Sequence, residues 1–184
     1  VMAERQRLAK EAGKRIMKLV ADDIKPRDIA TMEAFENAMH VEMAIGSSTN
    51  TVLHLPAIAH EAGFKLDLDL FNKISAETPN LCKISPAGSA HIEDLHAAGG
   101  VTAVMGELMK KGLLHKDIIT VTGKKVKEIV GKAESLDPDI IKKIDAPYSA
   151  DGGLAILFGN LAPLGAVVKK SAVDPSMLAH SGPA

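Results

Sequence analysis

Four consecutive hydroxyl or amide side chains form the stretch of this 184-residue chain that is best suited to chemistry. Ser47, Ser48, Thr49 and Asn50 follow Gly46 and lead into an apolar run, and we call these five residues the GSSTN loop. One such side chain at a helix start satisfies a backbone N–H that has no partner within the helix. Small polar residues before a helix N-terminus also bind carboxylate or phosphate oxygens. A run of four exceeds what one cap needs, so capping and ligand contact both stay open.

The seven histidines and the single cysteine do not favour a metal site. His54 and His60 are six residues apart and His91 and His96 are five apart, so neither pair shares a helix face as residues four apart do. The sequence has no HExxH motif. One cysteine, Cys82, supplies neither a disulfide within the chain nor a cluster site built from several of its thiols. We interpret Cys82 as a small buried hydrophobic side chain.

The glycine-containing segments lack the familiar phosphate-binding and esterase motifs. The stretch GLAILFGNLAP has glycines at 153 and 159, but the chain contains no GxGxxG, GxxxxGK[ST] or GxSxG. The run from Asp151 to Gly153 is interpreted as a turn. Glu93 and Asp94 are assigned to the first turn of a helix, where acidic side chains interact well with the helix dipole.

Composition and charge exclude several classes of protein. The chain is 46% hydrophobic and 24% charged, which is a globular composition, and its net charge of -1 gives no support to nucleic-acid binding. Its apolar runs are shorter than the ~20 residues of a membrane helix. We therefore expect neither nucleic acid nor membrane as a partner. The single cysteine fits a cytoplasmic location.

Helical periodicity dominates the first two thirds of the chain. Gly46 is predicted to end the helix before the GSSTN loop, and Ser47, Ser48 or Thr49 is predicted to cap the next helix. The segments predicted as helical are 2–21, 26–45, 50–62, 67–76, 91–100, 101–112 and 124–130.

The last third of the chain changes character. Proline, glycine and aspartate cluster in residues 135–153, which predicts a linker or a domain boundary in this window. Together with the helices, the predicted strands indicate an α/β protein. The segments predicted as strands are 81–84, 118–123, 154–159 and 165–170, with the turn NLAP between the last two.

Long strings of this sequence resemble the dihydroxy-acid dehydratase family, and the resemblance covers nearly the whole chain. They are MEAFENAMHVEMAIGSSTNTVLHLPAIAHEAG, TPNLCKISPAG, HIEDLHAAGGVTAVMGEL and APYSADGGLAILFGNLAPLGAVVKKSAV. The sugar-acid dehydratases, including the phosphogluconate and arabinonate enzymes, are similar relatives. STNTVLHLPAIAHEAG and PNLCKISPAG look closer to the branched-chain amino-acid enzyme.

The resemblance implies a hydro-lyase that depends on an iron–sulfur cluster and magnesium. Such an enzyme removes water from a 2,3-dihydroxy carboxylic acid and forms a 2-keto acid, on the route to valine and isoleucine. In this family an iron of the cluster acts as Lewis acid on the departing 3-hydroxyl group. A serine alkoxide takes the proton from C2, and magnesium orients the carboxylate and the 2-hydroxyl group.

The motifs that carry this chemistry in the family do not occur in this sequence. They are a Cys-Asp-Lys stretch, a Gly-Ala-Cys-Gly-Gly-Met-like stretch and a Gly-Arg-Phe-Ser-Gly stretch, and Cys82 matches none of them. We therefore expect a middle third of the enzyme, inactive alone, with no catalytic residue and no metal ligand. Residues 1–140 would be the helix-rich C-terminal part of a flavodoxin-like α/β domain. Residues 141–184 would begin a β-barrel-like domain with its first strands.

The resemblance places the GSSTN loop at the carboxyl edge of the α/β domain, where α/β proteins bind ligands. It makes Ser48, Thr49 and Asn50 substrate-binding candidates and gives Ser47 a weaker claim, while capping stays the alternative. The expected partner is a small dihydroxy acid, and we expect a homodimer or higher homo-oligomer. A fragment of a sugar-acid dehydratase and a non-catalytic binding or scaffold module are the competing functions.

Overall fold

The computed structural model describes residues 2–179 and 181–182. These residues form eight α-helices, two β-strands and two 3-10 helical turns. The helices are α1 (Met2–Ala21), α2 (Pro26–Ile29), α3 (Met32–Ile45), α4 (Thr51–Ala62), α5 (Leu68–Glu77), α6 (Ile92–Ala97), α7 (Gly100–Lys110) and α8 (Val126–Val130). The strands are β1 (Ala155–Leu157) and β2 (Ala166–Val168), and the 3-10 turns are Lys170–Ala172 and Pro175–Met177.

Helix α3 is the centre of the fold because both hydrophobic clusters draw on it. The first cluster joins the end of α3 to α6 and α7. The second joins the start and middle of α3 to α5 and β1. The chain has no tryptophan, and Met39 and Met43 of α3 fill the second cluster with fully buried thioether side chains. Flexible methionines adapt to irregular core space in this way.

The helix that was predicted over residues 26–45 is interrupted. Thr31 separates α2 from α3 and caps α3, since its Oγ1 accepts the Ala34 N–H at 3.3 Å. A threonine at this position satisfies a donor that the first helical turn leaves free. At the other end, the prediction for Gly46 is confirmed: it ends α3 in the left-handed conformation, with φ of 61°.

The two C-terminal strand predictions are confirmed. Strands β1 and β2 pair antiparallel, with Ala155 opposite Val168 and Leu157 opposite Ala166. A two-stranded sheet needs further packing to be stable. Asn72 of α5 supplies part of it, because its amide donates to the Ile156 carbonyl at 2.9 Å and accepts the Ile156 N–H at 2.8 Å. The fold is therefore mixed helix and strand, and the sheet is small.

The predicted strands at 81–84 and 118–123 are wrong. The structure shows only the isolated bridges of Ile84 with Ala90 and of Ile119 with Lys125 in these segments. The Leu81 N–H donates instead to the carbonyl of Ala44 at 2.7 Å. Hydrogen bonds to the end of α3 thus satisfy the backbone at the start of 81–84. Within the described structure, no neighbouring strand forms a ladder with this segment.

Helix α1 has the predicted bounds, but most of its apolar stripe faces outward. Leu19 is buried, whereas Leu8, Ile16 and Val20 are exposed. A long-range hydrogen bond links the helix to the segment before α8, because the Arg15 guanidinium donates to the Thr122 carbonyl at 2.8 Å. None of the described helices combines the length and apolar character that crossing a membrane requires.

His40 and Thr78 form a buried polar pair beside the second cluster. Nδ1 of His40 lies 2.6 Å from Thr78 Oγ1, and that hydroxyl donates to the Ile74 carbonyl at 2.6 Å. Because the Thr78 proton is directed at Ile74, Nδ1 must carry a proton and donate to Thr78. Burial lowers the pKa of His40, and the negative charges of Glu77 and Glu36 oppose this effect.

We expect acid to destabilise the chain through His40. Its pKa is lower in the fold than the usual value of about 6.5, so the unfolded chain binds more protons below that pH. The stability that neutral His40 contributes is present above about pH 6.5 and is lost as the pH falls. His40→Asn keeps an amide donor for Thr78 but does not titrate. Its melting temperature should therefore fall less than the wild-type value between about pH 6.5 and 5.

Circular dichroism melts at several pH values measure this effect. The exposed His60 offers the matched control, and His60→Asn should follow the wild-type pH dependence. Equal slopes for His40→Asn and the wild type would show that burial of His40 has no part in acid sensitivity.

Candidate functional site

The GSSTN loop joins α3 to α4 and is held by a buried carboxylate. The Ser48 N–H donates to Oε1 of Glu42 at 2.7 Å, and Glu42 is only 9% exposed. Burial raises the pKa of Glu42, while the Ser48 N–H, the hydroxyls of Thr51 and Ser47 and the charge of Lys169 act in the opposite direction. The inner side of the loop is therefore organised around this one carboxylate.

The predicted hydroxyl cap on α4 is wrong. The N-cap of α4 is Asn50, which has helical dihedral angles and makes no side-chain capping bond. The first N–H groups of the helix bond to carbonyl groups of the loop. The Thr51 N–H donates to the Ser48 carbonyl at 3.1 Å, and the Val52 N–H donates to the Thr49 carbonyl at 3.2 Å. Ser48 Oγ accepts the Asn50 N–H at 3.2 Å and so stabilises the turn that precedes the helix.

Within the part of the chain that the structure describes, neither Thr49 Oγ1 nor the side-chain amide of Asn50 takes part in a hydrogen bond, whereas Ser48 does. Asn50 and Ser48 are exposed and Thr49 is half-buried. The loop therefore presents polar groups with free hydrogen-bonding capacity on a backbone that Glu42 holds in place.

The C-terminal segment packs directly behind the loop. Gly46 and Gly153 are in backbone contact, since a Cβ on Gly153 would lie 2.4 Å from the Cα of Gly46. The Ser171 N–H donates to the Gly153 carbonyl at 3.1 Å, and the Asn80 amide donates to the Ala44 carbonyl at 3.1 Å. The glycine at 153 is thus needed for close packing, and the interpretation of this stretch as a simple turn is incomplete.

Charged side chains lie on both sides of Gly153 in the C-terminal segment. Asp151 pairs with Lys170 and accepts the Ser149 hydroxyl at 2.5 Å. The Lys170 ammonium and the Ser149 hydroxyl lower the pKa of Asp151. Ser171 Oγ is buried and has no hydrogen-bond partner among the residues that the structure describes. The sequence analysis named only Asp151 among these four residues, and it assigned Asp151 to a turn.

Glu42 is the main residue of the site that the sequence analysis missed. Its position carried a signal, since Phe35, Met39 and Met43 place an apolar stripe on one face of α3 and Glu42 lies within it. An acidic side chain on a buried helix face requires partners. That argument identifies an unusual residue, but it does not identify the partner.

Comparison with protein families identifies the group to which the chain belongs. The N-terminal domain model of dihydroxy-acid/6-phosphogluconate dehydratase matches residues 1–129, and the C-terminal domain model matches residues 139–184. The chain belongs to the dihydroxy-acid/6-phosphogluconate dehydratase family. The resemblance that the sequence strings indicated is confirmed.

Individual relatives in this family are similar along the whole chain. Identity is 62% to dihydroxy-acid dehydratase of Ruminiclostridium cellulolyticum, 64% to that of Caldicellulosiruptor saccharolyticus and 61% to that of Acetivibrio thermocellus. Each comparison covers 100% of this chain and 33% of the relative. The chain therefore spans about a third of the length of the curated relatives it matches.

The residues of this family member do not fit an iron–sulfur cluster or a magnesium site. Across residues 2–179 and 181–182, no three His, Cys, Asp or Glu side chains are grouped as metal ligands. Cys82 is fully buried, as interpreted from the sequence, and burial raises its pKa to about 12. Metals bind the thiolate form of cysteine, which this environment disfavours.

We expect Cys82 to be chemically inert in the folded chain. A thiol of raised pKa that reagents cannot reach should react with an aromatic disulfide at pH 8 at least about 100-fold more slowly than a free cysteine. The release of the coloured thiolate measures the rate. The same chain in concentrated guanidinium chloride is the control, and its single thiol should react at once. Rapid stoichiometric reaction without denaturant would contradict the buried position.

Proposed function

We propose that this chain is a segment of a dihydroxy-acid dehydratase. The parent enzyme would remove water from a 2,3-dihydroxy carboxylic acid and release a 2-keto acid in valine and isoleucine synthesis. The observation that carries this proposal is the identity of 62% and 64% to two dihydroxy-acid dehydratases over every residue of the chain. Because the chain spans 33% of those relatives, we propose that it is inactive by itself.

Within the parent enzyme, we assign the GSSTN loop to the wall of the substrate site. A dihydroxy acid offers two hydroxyl groups and a carboxylate, all of which need hydrogen-bond partners once water is removed. Ser48, Thr49 and Asn50 supply neutral donors and acceptors, and the side chains of Thr49 and Asn50 have no hydrogen bond within the described structure. The N-terminus of α4 follows directly and favours a negative group beside the loop.

These residues would bind and orient the substrate rather than react with it. A hydroxyl and an amide of ordinary pKa are weak bases and nucleophiles without an activating partner. Their contribution is to hold the dihydroxy acid in one orientation, which lowers the entropic part of the barrier. We propose no catalytic base and no nucleophile within this chain.

We assign the iron–sulfur cluster and the magnesium ion of the parent enzyme to residues outside this chain. The donor chemistry of the described residues supports this assignment, since the one thiol is buried with a raised pKa and no acidic or histidine cluster accompanies it. Cys82 would serve as core packing in the parent as it does here.

We further propose the domain arrangement that the resemblance implied. Residues 1–140 would complete a flavodoxin-like α/β domain, and residues 141–184 would open a β-barrel-like domain. The two family models, which end at 129 and begin at 139, support a boundary in this region. The hairpin of β1 and β2 then supplies the first strands of the second domain. The cytoplasmic location and the homodimer or higher homo-oligomer remain predictions.

A sugar-acid dehydratase is the second candidate for the parent enzyme. The matching family model includes 6-phosphogluconate dehydratases, so the family alone permits a polyhydroxy or phosphorylated acid as substrate. Both candidates share the elimination of water and differ in the group that the substrate site must hold. The three relatives compared above match over the whole chain and are dihydroxy-acid dehydratases, which favours the branched-chain substrate.

The test uses the full-length protein that contains this chain, purified without oxygen. We expect a branched 2,3-dihydroxy acid to yield its 2-keto acid, detected as a hydrazone, with a kcat/KM at least about tenfold above that for 6-phosphogluconate. Turnover of 6-phosphogluconate alone would select the second candidate. The absence of turnover with either acid, in protein that holds its cluster, would overturn both.

The assignment of the cofactors has its own test in the isolated 184-residue chain. Anaerobic incubation with iron and sulfide should produce no stoichiometric visible absorption band, because one thiol does not supply the ligands of a cluster. A stoichiometric band that survives Cys82→Ser would place cluster ligands among residues that we have not assigned. A band that the same substitution removes would indicate clusters shared between chains.

A further inference from the structure

We propose that Glu42 is a positioning residue for the GSSTN loop. The shape of the loop would then depend on the hydrogen bond between the Glu42 carboxylate and the Ser48 N–H. This inference rests on the proposed function, which assigns the loop to the substrate site, and it names the group that sets the conformation of that loop.

The first step is the contact itself. Glu42 lies in the last turn of α3, and its carboxylate reaches past the end of the helix to accept the Ser48 N–H at 2.7 Å. A buried carboxylate is costly unless it is hydrogen-bonded, so the Ser48 N–H must stay directed at it. This arrangement fixes the backbone from which Thr49 and Asn50 project.

The second step concerns the inward and outward sides of the loop. Ser48 donates its N–H to Glu42, and Ser47 and Thr51 lower the pKa of that carboxyl group. Thr49 and Asn50 lie between these residues in sequence and make no side-chain hydrogen bond within the described part of the chain. The carboxylate thus satisfies the neighbours of Thr49 and Asn50 and leaves these two free to bind a ligand.

The third step links the loop to the C-terminal segment. Lys169 follows β2 directly; burial lowers its pKa, and the negative charge of Glu42 raises it. Two residues further on, the Ser171 N–H binds the carbonyl of Gly153, which packs on Gly46. The same segment therefore packs against the start of the loop, by close contact at Gly46.

A second buried carboxylate of the chain provides the matched control. Glu107 of α7 is 3% exposed, and its Oε2 accepts the Ile144 N–H at 3.0 Å while Lys110 contacts its other oxygen. Glu107 thus holds a loop backbone just as Glu42 does, but that loop carries none of the substrate-binding candidates. Loss of either carboxylate should cost stability, and only loss of Glu42 should alter the kinetics of the surviving folded enzyme.

Two conservative changes separate the contact from the charge. Glu42→Gln keeps an oxygen that accepts the Ser48 N–H and loses the negative charge. Glu42→Asp keeps the charge and withdraws the carboxylate by one methylene group, which breaks the 2.7 Å bond. In the full-length, cluster-loaded enzyme assayed with a branched dihydroxy acid, we expect Glu42→Asp to lower kcat/KM by at least about tenfold and Glu42→Gln by less than about threefold.

A double-mutant cycle tests whether Glu42 acts through the loop. If the carboxylate serves to place Thr49, adding Thr49→Ala to Glu42→Asp should lower kcat/KM by less than about threefold beyond the more impaired single variant. Effects that multiply would show that the two residues act independently and would overturn the positioning role. Glu107→Ala, the control, should lower the melting temperature and leave kcat and KM within about twofold of wild type.

A Glu42→Asp enzyme within about threefold of wild type would overturn the inference. Failure of the wild-type enzyme to dehydrate any dihydroxy acid would instead overturn the proposed function.

Discussion

Gly153→Ala is expected to destabilise the chain by about 3 kcal/mol, within the upper range for insertion of an extra methyl group into a packed core. The new Cβ would lie 2.4 Å from the Cα of Gly46 and 3.2 Å from both the Asn80 amide nitrogen and Ser171 Oγ. The nearest of these atoms belongs to the backbone, so a side-chain rotation does not relieve the overlap. The loop and the segment around residue 153 must move apart, and the hydrogen bond from the Ser171 N–H would weaken as they do.

Urea unfolding followed by circular dichroism measures this loss. Gly159→Ala is the matched control in the same segment, because a Cβ at that position meets no atom within 4 Å. We expect the control to unfold within about 0.5 kcal/mol of wild type. A Gly153→Ala chain as stable as the control would mean that the loop and the C-terminal segment do not make the contact on which the site depends.

Thr49→Ala and Asn50→Ala are each expected to lower kcat/KM of the full-length enzyme by about 10- to 100-fold, at a nearly unchanged melting temperature. The structural reason is that neither side chain makes a hydrogen bond within the described chain, so its removal breaks no hydrogen bond of the fold. A substrate contact that strengthens in the transition state is lost in full, and each 1.4 kcal/mol corresponds to about tenfold in rate.

A genuine cap in the same chain is the control for this pair. Thr31 caps α3 with its hydroxyl, and Thr31→Ala should cost about 0.5–2 kcal/mol of stability while kcat/KM of the folded enzyme stays near wild type. Melting curves and initial rates on the same preparations separate the two behaviours. If Thr49→Ala and Asn50→Ala behave like Thr31→Ala, with early melting and normal turnover, the loop is structural and the substrate assignment is wrong.

The helices were predictable because their causes are local. Amphipathic spacing placed α1 at its observed bounds, and the left-handed conformation that glycine adopts easily placed the end of α3 at Gly46. The prediction of strands required more than a local pattern, because a strand needs a partner strand to bond with. The β-rich segments 154–159 and 165–170 were predicted correctly, because a short connection brings two neighbouring segments together as a hairpin. The same kind of pattern failed at 81–84 and 118–123, where no strand lies alongside.

The sequence by itself determined the family of this chain, most of its helices and the loop that holds its substrate-binding candidates. These follow from the order of residues, which is a one-dimensional property. Only the tertiary structure decided which polar groups of the loop already make hydrogen bonds within the fold. It also showed that the buried carboxylate of Glu42 accepts one of them, from the Ser48 N–H. Gly46 and Gly153 are in contact although they lie more than a hundred residues apart in sequence. Their contact depends on how α3 and the β1–β2 hairpin pack, because close packing selects one arrangement among many that the sequence pattern allows.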